Sequence, residues 1–183
     1  ISAPSGAGKT SLVAALLKTD PDVRLSVSYT TRAPRPGEVN GREYNFVTVA
    51  QFERMEQAGE FLESAHVFGN RYGTSTQWIS ARIAEGHEIL LEIDWQGAAQ
   101  VRRLRPDAVT IFILPPSFEV LQKRLSGRES DAPDVIAHRI TAAREEITHV
   151  IDFNYVIIND EFERAARDLS SIVRAERLKR ARQ

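Results

Sequence analysis

The sequence predicts an α/β fold in which helices flank a parallel sheet. Two segments, 89–91 and 109–114, are almost continuously apolar, which is typical of strands buried on both faces of such a sheet. From residue 76 onward, predicted helices and strands alternate, as parallel connections require. A loop of small residues also joins a strand to a helix at the start of the chain. At 183 residues, the chain fits one domain that needs no disulfide or structural metal.

The composition argues against several classes of function. Lys and Arg total 24 against 25 Asp and Glu, so a formal charge of -1 gives no general attraction to nucleic acid or to an anionic membrane. The absence of cysteine excludes disulfides, thiolate metal sites and cysteine nucleophiles, and it fits a reducing compartment. The apolar runs are far below the roughly 18 residues of a membrane span. We therefore expect a soluble, cytoplasmic protein, and we expect a short segment to precede Ile1.

The first half of the chain is predicted to begin with the end of a strand, followed by helix 10–18, whose apolar residues share one face. Short strands, separated by turns rich in proline and glycine, are predicted over 26–29, 44–47 and 60–67. The turn at 68–71 would close a hairpin. Thr48 and Gln51 have the spacing of a capping box, which predicts a helix over 50–58.

The second half continues the alternation. Helices are predicted over 76–85, 96–104, 117–125, 134–150 and from 162 onward, and strands over 87–93, 109–114 and 155–158. We assign 28–75 to a β-rich insertion and the polar stretch 126–133 to an interruption of the core. The core itself then comprises 1–27, 76–125 and 134–183. The basic run 174–182 indicates either a solvated helix face or a subunit contact, and the latter would make the protein a homo-oligomer.

The opening loop carries the first chemical signal. Residues 3–10 match the phosphate-binding pattern G-x-x-x-x-G-K-[ST], except that Ala3 replaces the first glycine. Such loops wrap backbone N–H groups around phosphate oxygens, while Lys9 adds a charge for the β- and γ-phosphates and the Thr10 hydroxyl can hold Mg²⁺. The alternative is a tight glycine turn that caps a helix beside a solvated lysine. We predict an ATP site formed by Ala3, Pro4, Ser5, Gly6, Ala7, Gly8, Lys9, Thr10 and Ser11.

Two further features place charge where a ligand would bind. Asp94 follows a predicted buried strand, at the edge where open α/β sheets bind ligands, and is a candidate for Mg²⁺ or for the base of the acceptor. Alternatively, it only caps the next helix. Arg32 and Arg35 lie three residues apart in a proline-stiffened loop and could hold one phosphate bidentately. Taken alone, such an exposed pair is more often solvated surface.

Segment 28–44 contains the pattern T-T-R-x-P-R-x-G-E followed by N-G-x-x-Y. It resembles the GMP-binding region of guanylate kinases, most closely the bacterial ones. The resemblance continues in order over the whole chain, through Glu63, Y-G-T at 72–74, D-W-Q-G at 94–97 and I-N-D at 158–160. It implies a P-loop nucleoside monophosphate kinase fold with a GMP-binding insertion and a lid at 126–133. The implied reaction transfers the γ-phosphoryl group of Mg-ATP to GMP, giving ADP and GDP, in purine nucleotide metabolism and GMP recycling.

The resemblance also implies roles for single residues. The GMP-binding set would comprise Ser28, Arg32, Arg35, Glu38, Tyr44, Glu63, Tyr72, Thr74 and Asp94. Within it, the two arginines and two tyrosines hold the phosphate, whereas Ser28, Glu63, Thr74 and Asp94 contact guanine. The residues that act on the transferred group would be Lys9, Arg32, Arg124, Arg128 and Arg139, the last three being lid arginines. Asn159 would contact adenine, and Thr10 and Asp94 would hold Mg²⁺.

Three other functions can be weighed against this one. A guanylate-kinase-like module that binds phosphorylated proteins and has lost catalysis would not need the intact sequence of residues 8–10. Another P-loop small-molecule kinase would lack the guanine set of Ser28, Glu63 and Thr74. A nucleotide-hydrolysing switch would not need a second phosphate clamp. We therefore expect ATP and GMP to be the partners, with no nucleic acid and no membrane.

Overall fold

The computed structural model describes residues 1–127 and 133–179, with only the backbone of 133–135. In chain order, its elements are α1 (Lys9–Thr19), β1 (Val23–Leu25), β2 (Tyr29–Thr30), β3 (Asn45–Phe46), α2 (Val49–Gln57), β4 (Phe61–Val67), β5 (Asn70–Ser75), α3 (Thr76–Ala84), β6 (Glu88–Leu90), α4 (Trp95–Leu104), β7 (Ile111–Leu114), α5 (Phe118–Ser126), α6 (Pro133–Thr148), a 3₁₀ helix (His149–Asp152), β8 (Tyr155–Ile158) and α7 (Phe162–Arg177). None of the helices in the described ranges is long and apolar enough to cross a bilayer.

The chain divides into two compact units, the first formed by Ile1–Asp20 with Val109–Gln183 and the second by Pro21–Ala108. The division of the sequence into a core, an insertion at 28–75 and a lid at 126–133 stays a prediction. Residues 128–132 of that lid lie outside the described residues.

The first unit contains parallel strands whose carboxyl ends face the same way. β7 pairs with β8, and Ser2 bridges to Phe112 on β7 in the same parallel sense. The Ser2 N–H donates to the Ile111 carbonyl, and the Ile113 N–H donates to the Ser2 carbonyl, each at 2.9 Å. The predicted strand at the start of the chain is thus present as one bridge. Because parallel strands end at a common edge, the loops that follow Ser2, β7 and β8 open on the same side.

Helices bury the apolar faces of this unit. Leu12, Val13 and Leu16 on α1 are buried, and α1 packs against α7. α5 packs against α6, with Leu121 and Leu125 at the contact. The packing of α1 against α7 fixes the helix that follows the opening loop, and the bridge from Ser2 to Phe112 fixes the residues before the loop.

The second unit contains a four-stranded mixed sheet in the order β3-β2-β5-β4. β4 and β5 form the predicted antiparallel hairpin, and β2 pairs with β5 antiparallel and with β3 parallel. β1 and β6 form a separate parallel pair. α4 packs on β4, and Phe52 on α2 is fully buried against Phe61, with ring centroids 4.6 Å apart.

Most predicted helices and strands are present, and the differences lie in one strand and at the ends of some elements. The capping box is confirmed, because Thr48 accepts from the Gln51 N–H and the Gln51 side chain accepts from the Thr48 N–H. The strand predicted over 26–29 is wrong: the last rung beside β6 is the Ser26 N–H donating to the Leu90 carbonyl, after which the chain crosses to the other sheet. The strand predicted over 87–93 is shortened to β6, because β1 offers only three partners. The helix predicted to 150 ends at Thr148 and continues as the 3₁₀ turn.

Candidate active site

The opening loop has the geometry of a phosphate cradle. Gly6 and Gly8 have φ values of 89° and 95°, in the left-handed region that favours glycine. A Cβ on Gly6 would also lie 3.1 Å from the side chains of Leu121 and Leu125. Gly8 is the N-cap of α1 and brings no side chain to cap it, so the first N–H groups of the helix follow the loop directly. Such a helix start favours an anion.

Asn159 joins this loop to the end of β8. Its N–H donates to the Leu114 carbonyl at 2.8 Å, and its side-chain amide Nδ2 donates to the Ala7 carbonyl at 2.7 Å. The residue is 5% exposed. Its own carbonyl accepts from Arg124 Nη2 at 3.1 Å. The structure therefore brings together the loop, Asn159 and one predicted lid arginine, whereas the contact of Asn159 with adenine stays a prediction.

The other predicted lid arginines are less fully described. Arg139 lies half-buried on α6, which packs against the α5 helix that carries Arg124. Arg128 lies outside the described residues. The charge that the lid brings to the transferred group thus stays a prediction.

In the second unit, the predicted phosphate clamp is grouped around Arg32. Its Nη2 donates to both carboxylate oxygens of Glu38, at 2.8 and 2.9 Å, and its guanidinium lies over the Tyr44 ring at 5.3 Å. The Tyr44 and Tyr72 rings meet edge to face with centroids 5.8 Å apart. Three of the four predicted phosphate ligands therefore lie together. Arg35 is exposed, and its N–H donates to Glu38 at 2.7 Å.

Charge and burial define the protonation states in this clamp. Burial opposes the charge of Arg32, but the hydrogen bonds and charges of Glu38 and Tyr72 together outweigh burial and raise the pKa of Arg32. The hydrogen bond from Arg32 lowers the pKa of Glu38. Burial raises the pKa of Tyr44 to about 12, so its phenol is a neutral donor at physiological pH. The clamp is thus a charged fork beside a phenolic O–H, which suits a phosphate.

We expect Tyr44 to ionise only near pH 12, and we expect this step to be absent from Tyr44→Phe. A raised pKa means that the folded state prefers the neutral phenol, so its contribution to stability is complete below about pH 10 and is lost as pH rises toward 12. The measurement is a spectrophotometric phenolate titration of both proteins, with Tyr29→Phe as the control that should keep the step. Identical curves for wild type and Tyr44→Phe near pH 12 would contradict the burial of this phenol.

Next to the clamp, two neighbouring strands carry a buried polar pair. Glu63 on β4 lies opposite Thr74 on β5, and the Thr74 hydroxyl donates to Glu63 Oε1 at 2.5 Å. Glu63 is 3% exposed and Thr74 is fully buried. The predicted guanine set also includes Ser28 and Asp94. Ser28 directly precedes β2, and its carbonyl accepts from the Asn45 N–H.

Asp94 caps α4 beside this pair. Its Oδ1 accepts from the Gly97 N–H at 2.9 Å and its Oδ2 from Gln96 Nε2 at 3.2 Å, so the capping role proposed as an alternative is present. A Cβ on Gly97 would lie 2.4 Å from Glu63 Oε2 and 3.3 Å from Asp94 Oδ1. The first turn of α4 therefore brings both predicted guanine-binding carboxylates together.

The sequence patterns missed one residue that holds this arrangement. Gln100 on α4 donates from Nε2 to the Ser64 carbonyl at 2.7 Å, and its Oε1 accepts from the Ser64 N–H at 3.1 Å. This double hydrogen bond attaches α4 to β4 one residue beyond Glu63. A single glutamine on a helix gives no signal in the sequence, because its partner is 36 residues away.

Comparison with known proteins shows that the chain is similar to one family over nearly its whole length. The family model described as guanylate kinase matches residues 1–176. Proteins named guanylate kinase from Aromatoleum aromaticum and Chromobacterium violaceum are 59% and 57% identical, covering 100% and 99% of this chain and 90% and 86% of theirs. A crystal structure of guanylate kinase from Anaplasma phagocytophilum aligns with a TM-score of 0.84 at 38% identity, over 100% of this chain and 86% of that one. The predicted fold is confirmed by this likeness.

Proposed function

Because the chain belongs to the guanylate kinase family and is an ATP:GMP phosphotransferase, we propose that the loop in its first unit is the ATP site and that the polar set in its second unit is the GMP site. The observation that carries this assignment is the buried pair of Glu63 and Thr74. Burying an ionised carboxylate costs free energy unless a ligand or a protein partner pairs with it.

The guanine-binding role follows from donors and acceptors. The Watson–Crick edge of guanine offers N–H donors, which the carboxylates of Glu63 and Asp94 can accept, and a ring carbonyl, to which the hydroxyls of Thr74 and Ser28 can donate. Adenine presents the opposite pattern at those atoms. AMP would therefore leave buried partners unpaired, at about 1–3 kcal/mol each.

The phosphate of GMP is proposed to bind Arg32, Arg35, Tyr44 and Tyr72. Glu38 supports this role because it holds the Arg32 guanidinium over the Tyr44 ring. A fork that is already oriented loses less conformational entropy when an anion binds.

The donor site is proposed to use residues 3–11 for the phosphates of ATP. Lys9 supplies charge at the β- and γ-phosphates, and Arg124, Arg128 and Arg139 offset the charge that develops on the transferred group.

Mg²⁺ is the proposed cofactor. Thr10, exposed in the first turn of α1, and Asp94 both offer oxygen ligands, the kind that Mg²⁺ prefers, so the chemistry of these side chains fits the metal. Thr10 and Asp94 would hold the ion, which would supply positive charge to offset the charge of the phosphates.

The reaction needs no general base from the protein. The second pKa of the acceptor phosphate is about 6, so at neutral pH GMP is mostly a dianion and an adequate nucleophile. Catalysis then consists of alignment and electrostatic stabilisation, with Arg32 and Arg35 reducing the repulsion between two phosphate anions.

We propose that the reaction takes place in the cytoplasm. We also propose, from the basic run 174–182, that the protein forms a homo-oligomer. The inactive binding module is not favoured by the family match.

The assignment is tested by the acceptor preference of wild type and Glu63→Gln in a coupled ADP-release assay with Mg-ATP and GMP, AMP or UMP. We expect GMP alone to support rapid turnover. Glu63→Gln removes one acceptor at constant size and should lower kcat/KM for GMP by about 10- to 100-fold. Glu60→Gln, which changes an exposed carboxylate three residues away, is the matched control. If Glu63→Gln and Glu60→Gln both match wild type with GMP, Glu63 does not bind guanine.

A further inference from the structure

We propose that Asn159 is a positioning residue for phosphoryl transfer, anchoring the phosphate-binding loop through its side chain and Arg124 through its main chain. This inference rests on the proposed donor site but goes beyond it, because it assigns to Asn159 a task that does not involve the adenine base. The residue at the end of β8 would then hold both the phosphate-binding loop and Arg124 in position.

The contact with the loop orients one peptide group. Asn159 Nδ2 donates to the Ala7 carbonyl at 2.7 Å. In a trans peptide, the carbonyl of one residue and the N–H of the next point in opposite directions. Holding the Ala7 carbonyl toward Asn159 therefore directs the Gly8 N–H away from Asn159, as a donor to a phosphate oxygen would require.

The close approach of this amide also explains the glycine at position 8. A Cβ on Gly8 would lie 2.3 Å from Asn159 Nδ2, closer than any real contact allows. Gly8 also has φ 95°, so both its backbone and its surroundings demand glycine. The Asn159 amide and the loop thus pack closely against each other, although Asn159 and Ala7 are 152 residues apart in the sequence.

The main chain of Asn159 supports Arg124 in the same way. Arg124 Nη2 donates to the Asn159 carbonyl at 3.1 Å, and Asn159 is itself fixed because its N–H donates to Leu114 on β7 at 2.8 Å. A carbonyl is uncharged, so it orients the guanidinium and leaves its net charge unchanged. Arg124 thus keeps its positive charge for the phosphates.

The state of the amide argues against a primary role in binding the base. Asn159 is 5% exposed, and one of the two N–H donors of its side-chain amide is already used within the protein. Breaking that hydrogen bond would leave the Ala7 carbonyl, on a fully buried residue, without this donor, which is unfavourable. A ligand that took the amide would have to repay that cost.

The test compares Asn159→Leu, which keeps the size of the side chain and removes the donor, with Asn159→Asp, which keeps its shape. Glu161→Gln is the control, because Glu161 is exposed and its side chain does not cap α7. Calorimetric GMP binding gives the concentration of folded sites, and kcat is expressed per GMP site. Binding of inorganic tripolyphosphate with Mg²⁺ probes the donor site without any base.

We expect both Asn159 variants to bind tripolyphosphate about tenfold or more weakly and to lose about 100-fold in kcat per GMP site. The GMP affinity should match wild type. Unchanged tripolyphosphate binding with a raised KM for ATP would assign Asn159 to the base and overturn the proposal, as would wild-type kcat per GMP site. If wild type itself fails to turn over GMP, the proposed function fails, and the tripolyphosphate comparison still decides whether Asn159 positions the loop.

Discussion

Replacing Lys9 by methionine is expected to lower kcat by about 10³-fold and to leave the affinity for GMP unchanged. Methionine has nearly the length of lysine but no charge, so it removes the cation at the start of α1 without removing the aliphatic stem. A donor or cation that acts on charge developing in the transition state is worth about 10²–10³ in rate. The affinity for GMP should persist because its proposed ligands all belong to the second compact unit.

Lys18→Met is the matched control for this change. Lys18 is an exposed lysine in the last turn of the same helix, so its loss changes the net charge and the helix propensity equally. We expect it to match wild type in kcat and in KM for both nucleotides. Retention of more than about a tenth of wild-type kcat by Lys9→Met would mean that the opening loop binds ATP without stabilising the transferred group.

Local patterns in the sequence predicted those parts of the molecule that depend on neighbouring residues. The opening loop, the capping box of Thr48 and Gln51 and most helices were predicted correctly, because glycine placement, capping and helical spacing act within a few residues. Strand limits were predicted less well. β6 has three residues because β1 offers only three partners, and that limit lies on a segment more than 60 residues earlier.

The chemistry of the candidate site shows the same division. The spacing of the arginines indicated Arg32 as a site residue, and the resemblance to guanylate kinases indicated Glu63 and Asn159, but neither indicated which protein groups these side chains contact. The pairing of Glu63 with Thr74 depends on the register of β4 and β5, in which a register shift falls between Phe61 and Glu63. The contact of Asn159 with Ala7 needs two distant strands to end at one edge. Such contacts follow from tertiary structure, and a single sequence carries no local trace of them.

The second large effect is expected at Gly97, whose backbone does not require glycine. An alanine here would gain about 1 kcal/mol of helix propensity on α4. Its Cβ would lie 2.4 Å from Glu63 Oε2, and that carboxylate is 3% exposed and bonded to Thr74, so it has little room to move. Overpacking of this kind costs about 1–3 kcal/mol. The steric cost should exceed the propensity gain, and the displaced carboxylate should lower kcat/KM for GMP by about 100-fold.

Two further proteins separate the steric effect from helix propensity. Ala99→Gly makes the reverse change two residues along α4 and should lose about 1 kcal/mol of unfolding free energy with normal GMP kinetics. Glu63→Asp shortens the carboxylate, so in the Gly97→Ala background it should recover stability in urea denaturation but not GMP turnover. If Gly97→Ala instead proves more stable than wild type and keeps its kcat/KM for GMP, Glu63 can move without loss of function. The close approach at α4 would then be a packing detail rather than the feature that holds the carboxylate proposed to bind guanine in place.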